Sequence, residues 1–265
     1  MSRYAITVLV SAMIGAVAAG AGEVKKIQDN SYLLEEAYNQ EDGVVQHIQA
    51  FQRMKDKSWG YSFTEEVPVP RQAHQASVTV PVANPGAASG VGDILLNYRY
   101  QLVFKEKEGI AFSPRLSAVL PTGDYKKGFG SGALGVQANL PLSLELNDAW
   151  VTHWNIGATF TPGSKAASGT KADTTGFNYG FSLIWLAAGN FNLMLETVGS
   201  SDEMVQADGT KSRSDSFFIN PGVRFGINTK SGLQIVPGIA FPIGIGPSKG
   251  ESGIVTYLSF EHPLF

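Results

Sequence analysis

In a chain without cysteine, nucleophilic or acid–base chemistry must come from hydroxyls, carboxylates and the four histidines, His47, His74, His153 and His262. A serine nucleophile needs a base within hydrogen-bond reach, and no histidine here is followed two residues later by serine. Ser77 comes three residues after His74, which on a strand turns the two side chains to opposite faces. Glu35 and Glu36, like Asp202 and Glu203, are adjacent acids of the kind found in solvated turns, so a paired general acid and base is not expected. The histidines also lack i, i+2 or i+4 partners, which gives no metal centre. GFGSGALG is glycine-rich, but no Lys-Ser/Thr pair and no helix follow it, so its glycines read as loop flexibility rather than a phosphate cradle. No catalytic residue, metal or cofactor is assigned.

What remains is a set of charges, Asp93, Arg99, Arg115, Glu145, His153, Glu196 and Arg224. All fall on the polar phase of period-two runs, so both signs would share one enclosed space. There they either set a field across a constriction that screens solutes, or pair and pack the interior. The stretch that carries the first two, DILLNYRYQLVF, alternates Ile94, Leu96, Tyr98, Tyr100, Leu102 and Phe104 with Asp93, Asn97, Arg99 and Gln101. That is a strand with one wet and one oily face. Similar runs recur from Val44 to the C-terminus, the cleanest being Leu134, Val136, Ala138, Leu140, Leu142 and Leu144. About twelve strands result, inside the range of outer-membrane barrels.

The links between runs decide which face meets lipid. Tight links (VPRQAH, KEKEG, NDA, AGN, NTKSG) alternate with long polar ones (ANPGAASGVG, GDYKKGFGSG, PGSKAASGTKADTTG, GSSDEMVQADGTKSRS, GIGPSKGESG). This sorts the long links to one rim, as in a barrel across an outer membrane and unlike a soluble sandwich. Trp59, Tyr61, Tyr98, Tyr100, Trp150, Trp154 and Trp185 lie toward the ends of runs, where an interfacial girdle would be, and the opposing face reads as polar throughout. A soluble barrel of this size would enclose more space than side chains fill. The fold expected is all-β, a transmembrane antiparallel up-and-down barrel over 44–265.

Charged residues make up only 16% of the chain, against a usual value of about 25%, and glycine is abundant at 30 residues. The net charge of -3 gives no footprint for nucleic acid. MSRYAITVLVSAMIGAVAAGAGEVKK has the layout of a signal peptide ending near residue 21, so the chain is expected to be exported to the cell outer membrane. Membrane lipid and the outer-membrane assembly machinery are its expected partners. Residues 22–43 form a short N-terminal segment whose Leu33, Leu34, Ala37 and Tyr38 suit one face of a short helix, placed against the periplasmic rim or as a plug in the lumen. The terminal EHPLF ends in the aromatic residue common to exported barrels, although Phe265 is out of phase with Leu258, Phe260 and Leu264, and Pro263 interrupts the ladder.

Four segments, DNSYLLEEAYNQEDGVVQHIQAFQR, FTEEVPVPRQAHQASVTVPV, GVGDILLNYRYQL and SPRLSAVLPTGDYKKGFGSGALGVQANLPLS, resemble an outer-membrane transporter family labelled meta-pathway of phenol degradation. The resemblance runs from about Asp29 to the last strand and is most specific in EEAYNQE and SPRLSAVLPTGD. It implies a barrel that passes small, hydrophobic or aromatic solutes, and it brings no catalytic or binding residues with it. A structural or adhesive barrel without an open pore is the other expectation.

Overall fold

The computed structural model describes residues 27–264, so the expected leader and Phe265 lie outside the described residues. Twelve antiparallel strands close into one barrel. They are β1 (Val44–Met54), β2 (Trp59–Pro68), β3 (His74–Asn84) and β4 (Ile94–Tyr100, with Gly90–Val91 before it and Val103–Lys105 after). Next come β5 (Ile110–Phe112 and Arg115–Leu120), β6 (Gly135–Asn139 and Leu142–Asn147), β7 (Trp150–Lys165) and β8 (Lys171–Ala188). The last are β9 (Phe191–Val205), β10 (Lys211–Phe225 with Ile227–Asn228), β11 (Gln234–Ala240 with Ile243–Gly244) and β12 (Gly253–Pro263). Sequence neighbours pair, and β1 closes the sheet against β12 without a slip, from Val44 opposite Pro263 to Met54 opposite Gly253. Closure pairs the backbone groups that an open edge would leave bare in hydrocarbon. Among the described residues no helix is long and apolar enough to cross a membrane.

The alternation sends the oily face outward. Leu96, Leu116, Val136, Leu140, Ile156 and Phe177 are all exposed on the wall, Ile156 at 61% and Leu116 at 57%, whereas Asn97, Ser117 and Asn139 on the same strands are buried. A water-soluble protein leaves few such surfaces bare, and here the contiguous apolar wall faces the space a bilayer would fill. Aromatic rings gather at its margins. Trp150 stacks on Trp185 with centroids 6.1 Å apart, and Phe51 lies 5.9 Å from Trp59.

Links 69–73, 106–109, 148–149, 189–190 and 229–233 share a rim with both ends of the described chain, and the remaining links occupy the other rim. Two of the long links are corrected by the structure. PGSKAASGTKADTTG and GSSDEMVQADGTKSRS are mostly strand, because β7 to β10 run past the membrane and leave turns of only 166–170 and 206–210. Serine, threonine and charged residues read as loop, yet they can extend a ladder whose two faces are both in water. Asp208 caps one of these turns: its carboxylate accepts from the Thr210 hydroxyl and amide, which hold its pKa below the usual carboxylate range. The same rim also carries one tight turn, 55–58, with Lys57 in the left-handed region at φ 75°.

A second correction concerns the interior. The inward phase is not polar throughout, since Ile48, Ile184, Met194, Val236, Ala240, Val255 and Tyr257 form a buried cluster with Ile27 and Tyr32. The reason is that residues 27–43 run inside the barrel. Their apolar side chains need a dry patch of wall to pack against, so that part of the lumen behaves as a core. They form no helix.

Candidate functional site: the filled lumen

Side chains alternate along every strand, so the inner wall is a ring of every second residue, and residues 29–40 visit almost all of it. Asp29 sits at the closing seam. It accepts from Gln46 of β1 at 2.9 Å and from the hydroxyls of Tyr257 and Ser259 of β12. Arg224 of β10 donates to the carbonyls of Asp29 and Asn30. Glu196 of β9 accepts from the consecutive N–H groups of Tyr32, Leu33 and Leu34 at 3.0, 2.9 and 3.1 Å, while its other oxygen accepts from Asn220 at 2.7 Å. Three donors converging on one carboxylate are an anion nest, and here the wall supplies the anion.

The chain then crosses to the other half. Asn155 of β7 brackets Glu35, accepting from its N–H at 3.2 Å and donating to its carbonyl at 2.7 Å. The Glu35 carboxylate takes Nε and Nη2 of Arg115 at 2.9 and 2.7 Å, a bidentate pair. Ser143 of β6 accepts from the Ala37 N–H at 2.8 Å and shares a 2.8 Å hydrogen bond with His153 Nδ1. Arg99 of β4 donates to the carbonyls of Glu36 and Tyr38 at 3.0 and 2.6 Å and to Asn39 at 2.9 Å, with Glu66 of β2 3.6 Å away. Gln75 of β3 accepts from the Gln40 N–H at 2.8 Å. An extended segment offers few partners to itself, so the wall meets the backbone groups that burial would otherwise orphan.

Of the charges read from the sequence, Arg99, Arg115, His153, Glu196 and Arg224 therefore meet on one segment. Glu145 lies near them, lining a small recess with Ile27, Tyr38, His153 and Arg224. Asp93 is elsewhere: it lies on the long-loop rim, accepting from the N–H groups of Gly123 and Ser131 and from the Ser131 hydroxyl at 2.7 to 2.9 Å. It fixes loop 121–134, the loop of the glycine-rich stretch, and a Cβ at Gly130 would clash with its carboxylate. Close approach is the role of Gly130, whereas Gly128 stands in open space in the left-handed region at φ 79° and supplies the conformational freedom expected of the stretch. Glu35 and Glu36 are likewise lumen residues and no solvated turn.

Asp29, Asn39, Gln40, Gln46, Glu66, Gln75 and Asn155 complete the site without having been singled out. For those on strands, the inward phase of β1 to β3 and β7 was a usable signal. For those before β1 there is none, because an irregular segment has no period. Among the described residues, no group of three or more His, Cys, Asp or Glu could hold a metal ion.

The segment does not fill the lumen completely. A cavity of about 190 Å³ opens on one side of it, lined by Tyr32, Leu34, Glu35, Thr64, Asn97 and Arg115. Another of about 240 Å³ lies toward the chain-end rim, lined by Glu36, Tyr38, Gln40, Gln72, Phe104 and Glu261. The phenol oxygens of Tyr32 and Tyr38 and one Glu36 oxygen are buried with no protein partner, in residues that line these spaces.

Solved structures share this architecture. An outer membrane channel from Pseudomonas putida F1 superposes with a TM-score of 0.67 at 13% identity, over 85% of this chain and 97% of that one. The NanC porin gives 0.51 at 9% identity, over 82% of this chain and all of the porin. The shared fold is thus the outer-membrane barrel, and these neighbours are channels and porins. No curated protein matches the chain in sequence. Residues 31–241 match the family described as "Putative MetA-pathway of phenol degradation", and the chain belongs to that family.

Proposed function

We propose that the protein is a passive outer-membrane channel for small solutes, hydrophobic or aromatic in class, whose lumen is obstructed by its own N-terminal segment. It catalyses no reaction. One observation carries this reading: cavities lie on both sides of the segment, one bordered by Tyr32, Leu34 and Glu35 and the other by Glu36, Tyr38 and Gln40. A barrel meant solely as scaffold gains nothing from internal space beside a polar, hydrogen-bonded insert, whereas a conduit needs such space at both approaches. The aromatic class rests on family membership. Bilayer lipid around the apolar wall and the outer-membrane assembly machinery complete the set of partners.

The test is flux of labelled small aromatics into vesicles carrying the purified protein, alongside conductance in planar bilayers. Uptake above protein-free vesicles, with discrete current steps altered by Arg115→Ala, is expected. A flat trace and no uptake would instead favour a structural or adhesive barrel.

A further inference from the structure

We propose that His47 and His262 form a two-histidine site for a nitrogen-preferring divalent ion, Cu²⁺ above all, on the outer wall at the chain-end rim. The histidines are 215 residues apart in sequence and become diagonal neighbours when β1 closes on β12, where Val45 opposes His262 and His47 opposes Phe260. Gln46 and Glu261 line the lumen, so both imidazoles lie on the opposite face. Their Nε2 atoms are 3.3 Å apart. The ring centroids are 5.4 Å apart, so the rings approach through their nitrogens and not their faces.

The other nitrogens decide what those Nε2 atoms are. Nδ1 of His262 is 2.8 Å from the Pro263 carbonyl, which can only accept, so it carries the hydrogen. Nδ1 of His47 faces the Glu65 carboxylate at 3.7 Å, beyond a hydrogen bond but close enough to favour the hydrogen on that nitrogen. With the hydrogen of each neutral ring on Nδ1, both Nε2 lone pairs open on one small space where a single ion can take them; with the hydrogen of His47 on Nε2, the ring instead donates to His262. Two nitrogens bound to one ion at about 2.0–2.1 Å are about 3.3–3.4 Å apart at a tetrahedral angle and about 2.8–3.0 Å apart at the right angle of a tetragonal Cu²⁺ site, so the rings need to close by only a few tenths of an ångström to take copper. A carboxylate on one ligand's far nitrogen and a backbone carbonyl on the other's are the usual outer-shell partners of metal-binding histidine. Phe63 stacks on His47, with centroids 6.3 Å apart and the planes 14° from parallel, and holds the ring in place. Water would complete the coordination, and the order Cu²⁺ > Ni²⁺, Cu²⁺ > Zn²⁺ follows from imidazole ligation.

The experiment uses the full, untagged protein in detergent, titrated with CuCl₂ and followed by calorimetry and by electron paramagnetic resonance. One Cu²⁺ per chain with hyperfine coupling to two nitrogens is expected. His47→Ala and His262→Ala should each lose it. Both alanine variants lie outside the lumen, and heat-modified gel migration checks that their barrels are closed. Absence of bound copper, which would leave a shared proton between the rings, overturns the site. So does copper whose two-nitrogen signature survives His262→Ala. Neither result bears on solute flux, which fails or succeeds separately.

Discussion

Arg115 and Glu35 illustrate how single side chains hold the segment against the wall. The guanidinium also donates to Asn97, Ser117 and Gln137, so three strands and the segment meet on one group. Removing one partner of a fully buried pair costs about 3–5 kcal/mol. The Glu35 side chain keeps 25% of its exposure, so Arg115→Ala should fall at the low end or below. Thermal unfolding in detergent reads that loss, and current steps larger than wild type should accompany it. Glu196 allows a sharper contrast. Glu196→Gln keeps an acceptor for the Tyr32, Leu33 and Leu34 N–H groups, whereas Glu196→Ala leaves all of them orphaned. A spin label at Leu33 should accordingly become mobile in the alanine variant and stay ordered in the glutamine variant.

The strands were the most legible elements in the sequence. Period-two alternation in Leu134 to Leu144 and in Ile94 to Leu102 fixes which side chains point out, because a one-residue slip would reverse every one of them. Past Leu102 the phase does reverse, and Phe104, opposite the buried Ala111, packs edge-on to Tyr38 in the lumen and not on the oily face that the alternation assigned it. The same logic gives a prediction for the wall. Lysine in place of Ile156, midway along β7, should destabilise the barrel by about 2–4 kcal/mol, and Lys in place of the inward-facing Asn178 should not carry that lipid penalty. Comparing folded fractions in lipid vesicles across a urea series checks it. Composition was a poorer guide to the long hairpins, since Ser, Thr and Gly beyond the bilayer look the same in a loop and in a doubly solvated ladder. Residues 27–43 were harder still. Their bonds go to strands up to 230 residues away, as from Asp29 to Ser259, and no local pattern encodes such a partner.

Taken as a whole, the molecule is a tube whose apolar matter is on the outside except where its own chain lies within. A variant lacking residues 27–43 should still insert, because wall pairing does not pass through the segment, and should conduct several-fold more than wild type in planar bilayers. Its unmet inner charges should also lower its melting temperature. The closing seam adds a constraint of order. Asp29 holds Gln46 of the first strand and Tyr257 and Ser259 of the last, so the earliest described residues end up enclosed by the latest. A cylinder already sealed would have to be threaded by its own leading end; a sheet still open can instead roll around it. This order predicts that removing residues 27–43 slows the appearance of the compact, heat-modifiable form when the denatured chain is refolded into detergent.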